Sequence, residues 1–457
     1  MQTLMIPLIP ELPTLLHTSP ANASWAITVT LLTAAVATPV FGRLGDMYGP
    51  KPMLIVCAAI LTVGSLLAAM TSSLLPFIVG RGLQGFGIPI IPLAISVLRA
   101  SIPADRVGSA MGLISASVGV GGALGLPLSA VIAEKADWHM LFWCAAGLGV
   151  ASLLLFYFLV PKVPTTSNDR LDPLGTVLLT IGLVTLLVPI SKGSTWGWMS
   201  TTTLSLFGTC LAVFAVFAFW QFRVEAPIVD LRTTLKRPVL TTNVASVAVC
   251  FAWFAMSLVG PQILELPPQT GFGLGQSMLQ AGLWMAPGGL AMMAAAPIAA
   301  RTAARRGAKF TLVVGAVIIA GAYLAGAYLL IGPVQVMMVN IVLSFGVGFA
   351  YSSLPALINA AVPMSETAAA NGINALGRSF GTAVSSAVVG AVLSAMTISF
   401  AGHMVPSLAG FRVALLAAAG AAALAAVIAL TLPTPAGATV PDWSPEELEL
   451  EGDPVRG

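Results

Sequence analysis

Charge is what this sequence has least of. Of 457 residues, 8% are Asp, Glu, Lys or Arg and 57% are hydrophobic, whereas soluble domains carry about 25% charged residues. A water-soluble fold of this length is excluded, because its surface could not be covered. Histidine is rarer still: His17, His139 and His403 are scattered and show neither metal-ligand nor triad spacing. Cys57, Cys144, Cys210 and Cys250 all fall inside apolar runs and read as small packed residues, in no disulfide, metal or redox pattern. No G-x-x-x-x-G-K-[ST] loop occurs, so nothing points to a nucleotide-driven machine. Neither a metal nor an organic cofactor is expected, and an enzyme is the least favoured class. The net charge of +3 gives no argument for nucleic acid. Ten-residue alternating segments are missing, which excludes a membrane β-barrel, and no cleavable signal peptide is visible.

What the chain does have is apolar runs of about 20 residues, the length that crosses a ~30 Å hydrocarbon core. They predict an all-α polytopic membrane protein with spans near 23–44, 53–71, 74–98, 107–132, 138–160, 174–191, 203–222, 239–262, 277–300, 310–331, 335–358, 367–396 and 408–432. Arg43, Lys51, Arg99, Arg106, Lys162, Arg170, Arg223, Arg232, Lys236, Arg237, Arg301, Arg305, Arg306 and Lys309 fall in alternate loops, and the opposite loops hold Lys135, Lys192 and Arg412. The basic set therefore faces the cytoplasm, and so does the Glu-rich tail from Asp442 to Gly457, which reads as disordered.

The segment FGRLGDMYGPKPML sits between the first two spans, and a weaker copy, IAARTAARRGAKFTL, recurs 258 residues later. Arg301, Gly307, Lys309 and Leu312 match Arg43, Gly49, Lys51 and Leu54. A six-helix half needs roughly 190–200 residues at about 20 per span, so spans 174–191 and 203–222 read as a pair inserted between two halves. A second echo pairs Ile9-Pro10-Glu11-Leu12-Pro13 with Ile263-Leu264-Glu265-Leu266-Pro267. By that alignment the first helix of the repeat would begin about 15–20 residues before Met1. A truncated first helix and fourteen spans in the full protein are the expectation.

On these motifs the chain resembles the major facilitator superfamily and, within it, the fourteen-helix drug:proton antiporter branch of bacteria. The first turn is similar to the family's G-x-x-x-D-R-x-G-R-K through Gly42, Asp46, Gly49 and Lys51, with Met47 and Pro50 departing from it. Glycines there let helices approach and turn. Asp46 can lie against a helix N-terminus, where the dipole favours an anion, and so latch one conformation; Ala304 takes its place in the second copy. The plainer alternative is an orientation signal only.

Arg81, Gln84, Gly85 and Gly87 resemble the branch's R-x-x-Q-G-x-G. Arg81 lies ~10 Å into its span, where a charge costs at least ~2.5–3.5 kcal/mol. It should face an interior cavity, and the resemblance implies a role in proton coupling. SVGVGGALGLPLSA resembles the antiporter motif G-x-x-x-G-P-x-x-G-G: Gly121 and Gly125 fit, and Leu126 displaces the proline to Pro127. In the second half, Asn371, Asn374 and Arg378 share one helix face, lining the cavity or bonding helix to helix. Trp253 and Trp284 are placed to stack on a flat ligand or simply to pack. Beyond Asp46 no acid falls inside a complete span. Glu11 and Glu265, in their shared E-L-P context, become candidates for the outer mouth of the cavity, against the plainer reading of solvated interfacial acids.

The resemblance implies two six-helix bundles, 1–160 (its first helix truncated) and 238–432, with inserted helices in 161–237 and an acidic tail, 433–457. It implies alternating access in a bacterial cell membrane, most directly proton-coupled efflux of drugs or other amphipathic small molecules, with protons and the lipid bilayer as the other partners. Two deep arginines with no buried carboxylate suit an anionic or neutral metabolite instead. A sensor that binds without translocating is the third reading.

Overall fold

The computed structural model describes residues 25–103, 135–163, 172–225, 227–229, 231–329, 331–362, 367–400 and 403–432. It also describes Met5, Leu8, residues 12–18 and 20–23, and residues 110, 114, 117, 121, 124, 125 and 127–133. The chain is a bundle of long helices: α1 (Trp25–Tyr48), α2 (Pro50–Ala69), α3 (Leu74–Gln84), α4 (Ile90–Ser101), α5 (His139–Leu159), α6 (Pro173–Trp196), α7 (Thr201–Gln221), α8 (Arg237–Glu265), α9 (Met278–Arg306), α10 (Ala308–Leu329), α11 (Pro333–Ala361), α12 (Thr367–Ala395) and α13 (Leu408–Leu430). α3 and α4 are joined by a single 3₁₀ turn, Gly85–Gly87, and together form one span.

Twelve described helical segments are long and apolar enough to cross a membrane. They match the spans expected from sequence, except that most of 107–132 lies outside the described residues. The tail 433–457 also lies outside them. Helix starts are marked as the sequence would have it. Proline occupies the first turn of α2, α6, α8 and α11, where a missing N–H costs nothing. Ser277 and Gln280 form a reciprocal capping box at α9.

Helices of the first half pack on one another: α2 lies against α5, α3 and α4, and α1 against α3. In the second half α11 packs on α9 and α10, while α8 packs on α12 and α13. α1 and α4 meet α12 across the middle. The α6–α7 pair lies over this seam. Leu179, Leu183 and Leu187 of α6 enter a cluster with Leu32, Ala35 and Val36 of α1 and Ile373, Leu376 and Phe380 of α12.

The sequence repeat is also a repeat of contacts. Gly49 and Gly307 take the same left-handed-region conformation, φ 89° and 85°, which favours glycine at both turns. Lys51 Nζ donates to the Val160 carbonyl at the end of α5 (2.6 Å), and Lys309 Nζ donates to the Leu432 carbonyl after α13 (2.5 Å). Each lysine thus caps the last helix of its half, where carbonyls have no intrahelical partner. The α2–α3 and α10–α11 pairs each cross at two glycines. A Cβ on Gly64 would stand 2.6 Å from the Gly80 carbonyl oxygen, and one on Gly315 2.7 Å from that of Gly346.

Three features depart from expectation. The link between α12 and α13 is an antiparallel hairpin, Thr397–Phe400 with His403–Pro406, where only a loop was read. Lys192, expected in a loop, is inside α6 with 2% of its surface exposed. Cys144, expected to be packed, is exposed on the outer face of the bundle.

The glycine crossing predicts that Gly64→Val costs about 1–3 kcal/mol through overpacking and lowers the melting temperature in detergent. Gly321→Val is the control: a Cβ there meets nothing within 4 Å, so its melting temperature should match wild type.

Candidate functional site

Among the described residues Arg81 is the largest fully buried side chain, 2% exposed. Its Nε donates to the Ala26 carbonyl of α1 (3.1 Å), and its Nη1 to Gln84 Oε1 (2.5 Å). Gln84 Nε2 donates to Ser65 Oγ of α2 (2.8 Å), and Ser65 Oγ to the Leu61 carbonyl (2.9 Å). Thr30 Oγ1 of α1 donates to the Arg81 carbonyl (2.9 Å). The R-x-x-Q-G motif thereby acquires a mechanical meaning. Spacing i, i+3 puts Gln84 next to Arg81 on one face. Gly85 lets α1 close in, since a Cβ there would be 2.6 Å from the Thr30 carbonyl oxygen. Instead of facing a cavity, the guanidinium is enclosed and ties three helices together.

A second group forms in the other half. The Arg378 guanidinium, half-buried on α12, stands 5.2 Å from the centre of the Tyr351 ring, cation–π range. Tyr351 Oη is 3.1 Å from Cys250 Sγ, and Trp253 meets Tyr351 edge-on at 5.8 Å. α8 runs unbroken past this point. The Tyr323 hydroxyl donates to the Ala252 carbonyl and accepts from the Met256 N–H at 3.1 Å, the i, i+4 pair of the helix ladder. Trp253 therefore sits in a turn of α8 that a side chain of α10 engages. Tyr351 and Tyr323 were missed in the sequence because a single tyrosine in an apolar run carries no pattern.

Asn374 and Asn371 are spent on packing. Asn374 Nδ2 donates to Asn243 Oδ1 (2.9 Å) and Ser246 Oγ (3.0 Å) of α8, and Asn371 Nδ2 to Asn359 Oδ1 of α11 (2.7 Å). Of the two readings for that polar face, helix-to-helix bonding is the arrangement present. Trp284 bonds Gln276 in the preceding loop (2.9 Å), and it packs against the same apolar cluster as Trp253. Glu265 is the last residue of α8, and Glu11 lies outside the described residues.

At the first turn, Asp46 is 6% exposed, with Arg43 one turn earlier as an electrostatic neighbour. Gly42 makes no close approach; Gly45 does, with a Cβ position 2.5 Å from the Leu93 side chain. Gly125 and Pro127 are helical and half-buried. Gly121 is exposed with nothing within 4 Å of a Cβ, which corrects the expectation of close packing at that position.

One hydrogen-bond chain runs against the sequence reading of the histidines. His139 Nδ1 meets Asp137 Oδ1, and His139 Nε2 is 3.1 Å from Ser72 Oγ. The order is that of a nucleophilic triad, but the chemistry is not. Nε2 also faces the Thr71 carbonyl at 3.2 Å, which requires an N–H there, not the lone pair of a general base. Asp137 accepts the His139 backbone N–H (2.8 Å). That bond, and then the ring contact, hold its carboxyl below the usual range. The group closes the start of α5.

A family model described as Major Facilitator Superfamily matches residues 1–386. The chain belongs to that superfamily. Among its relatives are the Multidrug resistance protein B homolog of Mycobacterium tuberculosis, 28% identical over 66% of this chain and 55% of that protein, and the Lincomycin resistance protein LmrB of Listeria monocytogenes, 26% identical over 60% and 57%. The chain therefore spans little more than half the length of these two. The Bacillus subtilis MFS-type transporter YvkA is 26% identical over 81% of this chain and 82% of its own. The crystal structure of the human organic anion transporter MFSD10 (TETRAN) superposes with a TM-score of 0.64 at 15% identity, over 93% of this chain and 95% of that one. That likeness shows the superfamily fold.

The two bonds of Asn374 predict that Asn374→Ala destabilises the protein by about 1 kcal/mol, at ~0.6 kcal/mol per interhelical bond. Thermal unfolding in detergent measures it, and Asn374→Ser should recover part of the loss.

Proposed function

We propose that this superfamily member is a secondary exporter of amphipathic small molecules, driven by protons, in which two bundles rock about a central site. The bundles are 1–160 and 238–432, the helices within 161–237 are the pair that marks the fourteen-helix branch, and the basic loops with the tail 433–457 face the cytoplasm of a bacterial cell. The observation that carries this reading is where the polar ties lie. Arg81 binds α1, α2 and α3 to one another; Asn374, Asn371 and Tyr323 bind α8, α10, α11 and α12. The α1–α12 seam, by contrast, is lined by Leu32, Ala35, Val36, Ile373, Leu376 and Phe380. Each half is fastened internally and meets the other through apolar surfaces that can slide, the mechanical condition for alternating access. The relatives named for multidrug and lincomycin resistance support drugs as the substrate class.

On this reading the gating turn is Gly42, Asp46, Gly49 and Lys51; Arg81, Gln84 and Gly85 hold the first half rigid; Gly121, Gly125 and Pro127 form the helix-5 element. Trp253 with Arg378 offers an aromatic and cationic wall to the substrate. Arg378 also favours a second reading, an anionic or neutral solute, since its guanidinium stays charged.

Both are tested in everted vesicles under an imposed pH gradient. Gradient-driven uptake of ethidium is expected, reduced about tenfold or more in Arg81→Ala, which loses bonds to a charged group worth ~1.5–3 kcal/mol each. Uptake of an anionic fluorescein dye that is lost in Arg378→Ala, with no ethidium movement, would replace the first reading by the second. Movement of neither dye by inserted protein would reject both.

A further inference from the structure

A cavity of about 190 Å³ lies among the described residues of the second half. α10 leaves the basic turn near Lys309 and ends at Leu329, while α13 starts at Leu408 and returns to Lys309 at Leu432. The cavity sits where the far ends of these two helices meet the close of α8. Its floor belongs to the apolar core: Ile263 of α8, Ala327 of α10, and Phe411 and Leu415 of α13 are all buried. Phe272, in the link after α8, meets Phe411 edge-on at 6.1 Å and closes one side. Tyr328 and Ile331 form an exposed rim.

Among the described lining residues one is charged, Arg412, exposed in the second turn of α13. Its guanidinium stands 5.8 Å from the centre of the Tyr328 ring, near the limit of cation–π range. Contact with a ring face leaves the planar fork of N–H donors for an anion. Size and polarity then define the occupant. Drug-sized ligands fill about 300–1,000 Å³, so this cavity takes only part of a molecule. The floor side chains offer no hydrogen bond, and an anion buried on them would be costly. Its charge has to stay at the rim, with Arg412. Tyrosine and arginine at the ends of spans stand at headgroup level, and the bilayer itself supplies amphiphiles of that shape.

We propose that this cavity binds an anionic phospholipid, with a segment of acyl chain on the floor and the headgroup phosphate at Arg412. The site touches α8, α10 and α13 together, so the bound lipid joins the far ends of three helices of one half. Its described lining includes no residue of α1 or α12. The lipid therefore holds that half together away from the seam, whatever solute the protein moves.

The test uses the full chain purified in detergent. Native mass spectrometry follows the first bound phosphatidylglycerol, and thermal unfolding follows its effect on stability. Arg412→Gln should weaken that first binding about fivefold, the equivalent of ~1 kcal/mol for one arginine at an anionic surface. Leu408→Trp adds a ring at the cavity wall and should abolish it. Arg223→Gln is the control, since Arg223 also stands over a ring, that of Phe219 at 4.1 Å, but does not line the cavity; its binding should match wild type. Phosphatidylglycerol should raise the melting temperature of wild type and Arg223→Gln and leave that of Leu408→Trp unchanged. Equal loss in Arg412→Gln and Arg223→Gln would reduce the effect to general surface attraction and overturn the site. So would wild-type binding by Arg412→Gln, which carries the test alone if Leu408→Trp does not fold. The same stabilisation by inorganic phosphate would make it a free-anion site, and by uncharged diacylglycerol a mere apolar slot; either result overturns the proposal.

Discussion

A guanidinium that can neither lose its proton nor reach water has to be surrounded by fixed acceptors, and the first half of this protein is organised around that requirement. The acceptors of Arg81 are a carbonyl of α1 and the amide of Gln84, itself anchored on α2. Such neutral oxygens satisfy the donors only if three backbones come unusually close. Gly64, Gly80 and Gly85 make that possible, because a Cβ at any of them would enter a neighbour's backbone. The cost of desolvating the charge is offset by geometry, not by a counter-ion. Replacing a glycine therefore disturbs the charge, and replacing the charge leaves carbonyls unmet.

The two halves repeat their architecture without repeating their chemistry. Gly49 with Lys51 and Gly307 with Lys309 make the same turn and cap the same helix of each half. Inside, they differ. The first half is tied by a charged clamp at Arg81, whereas the second is tied by the Tyr323 hydroxyl within the α8 ladder and by amides of α12. Ala304 stands where the first copy has Asp46. The shared turn and cap follow the sequence echo, whereas the polar residues that tie the helices together differ.

Sequence patterns reached the fold more readily than the site. Apolar run length located the spans because the bilayer sets one length for all of them, and a glycine–lysine turn repeated in the sequence is repeated as a turn with the same lysine contact. Arg81 was legible because charge is expensive there. Partners were not: Asn374 meets Asn243 from 131 positions away, and nothing local marks that pairing. Lys192 was misread for a physical reason. Its flanks, Ile190-Ser191 and Gly193-Ser194-Thr195, have the composition of a loop, and its burial comes from tertiary packing, Trp25 of α1 being one contact. The hairpin between α12 and α13 was hidden because each of its strands has only four residues, too short for a period to show.

The α6–α7 pair follows from the same logic. Its two ends are held differently. At the basic end Asp172 is saturated by N–H donors from α6 and α7, and Gln221 Oε1 continues the chain to the Val229 N–H (3.3 Å). A carboxylate so engaged cannot rearrange without losing several bonds to a charge at once. In the middle, leucines of α6 lie on both sides of the seam, making contacts that resist separation but not sliding. At the other end Lys192 Nζ stands 4.9 Å from the centre of the Trp25 ring at the start of α1. A helix capped at one end by so many bonds and packed through leucines along its middle is in contact with α1 and α12 at once, so any change in how those two helices meet has to be accommodated by α6 as well.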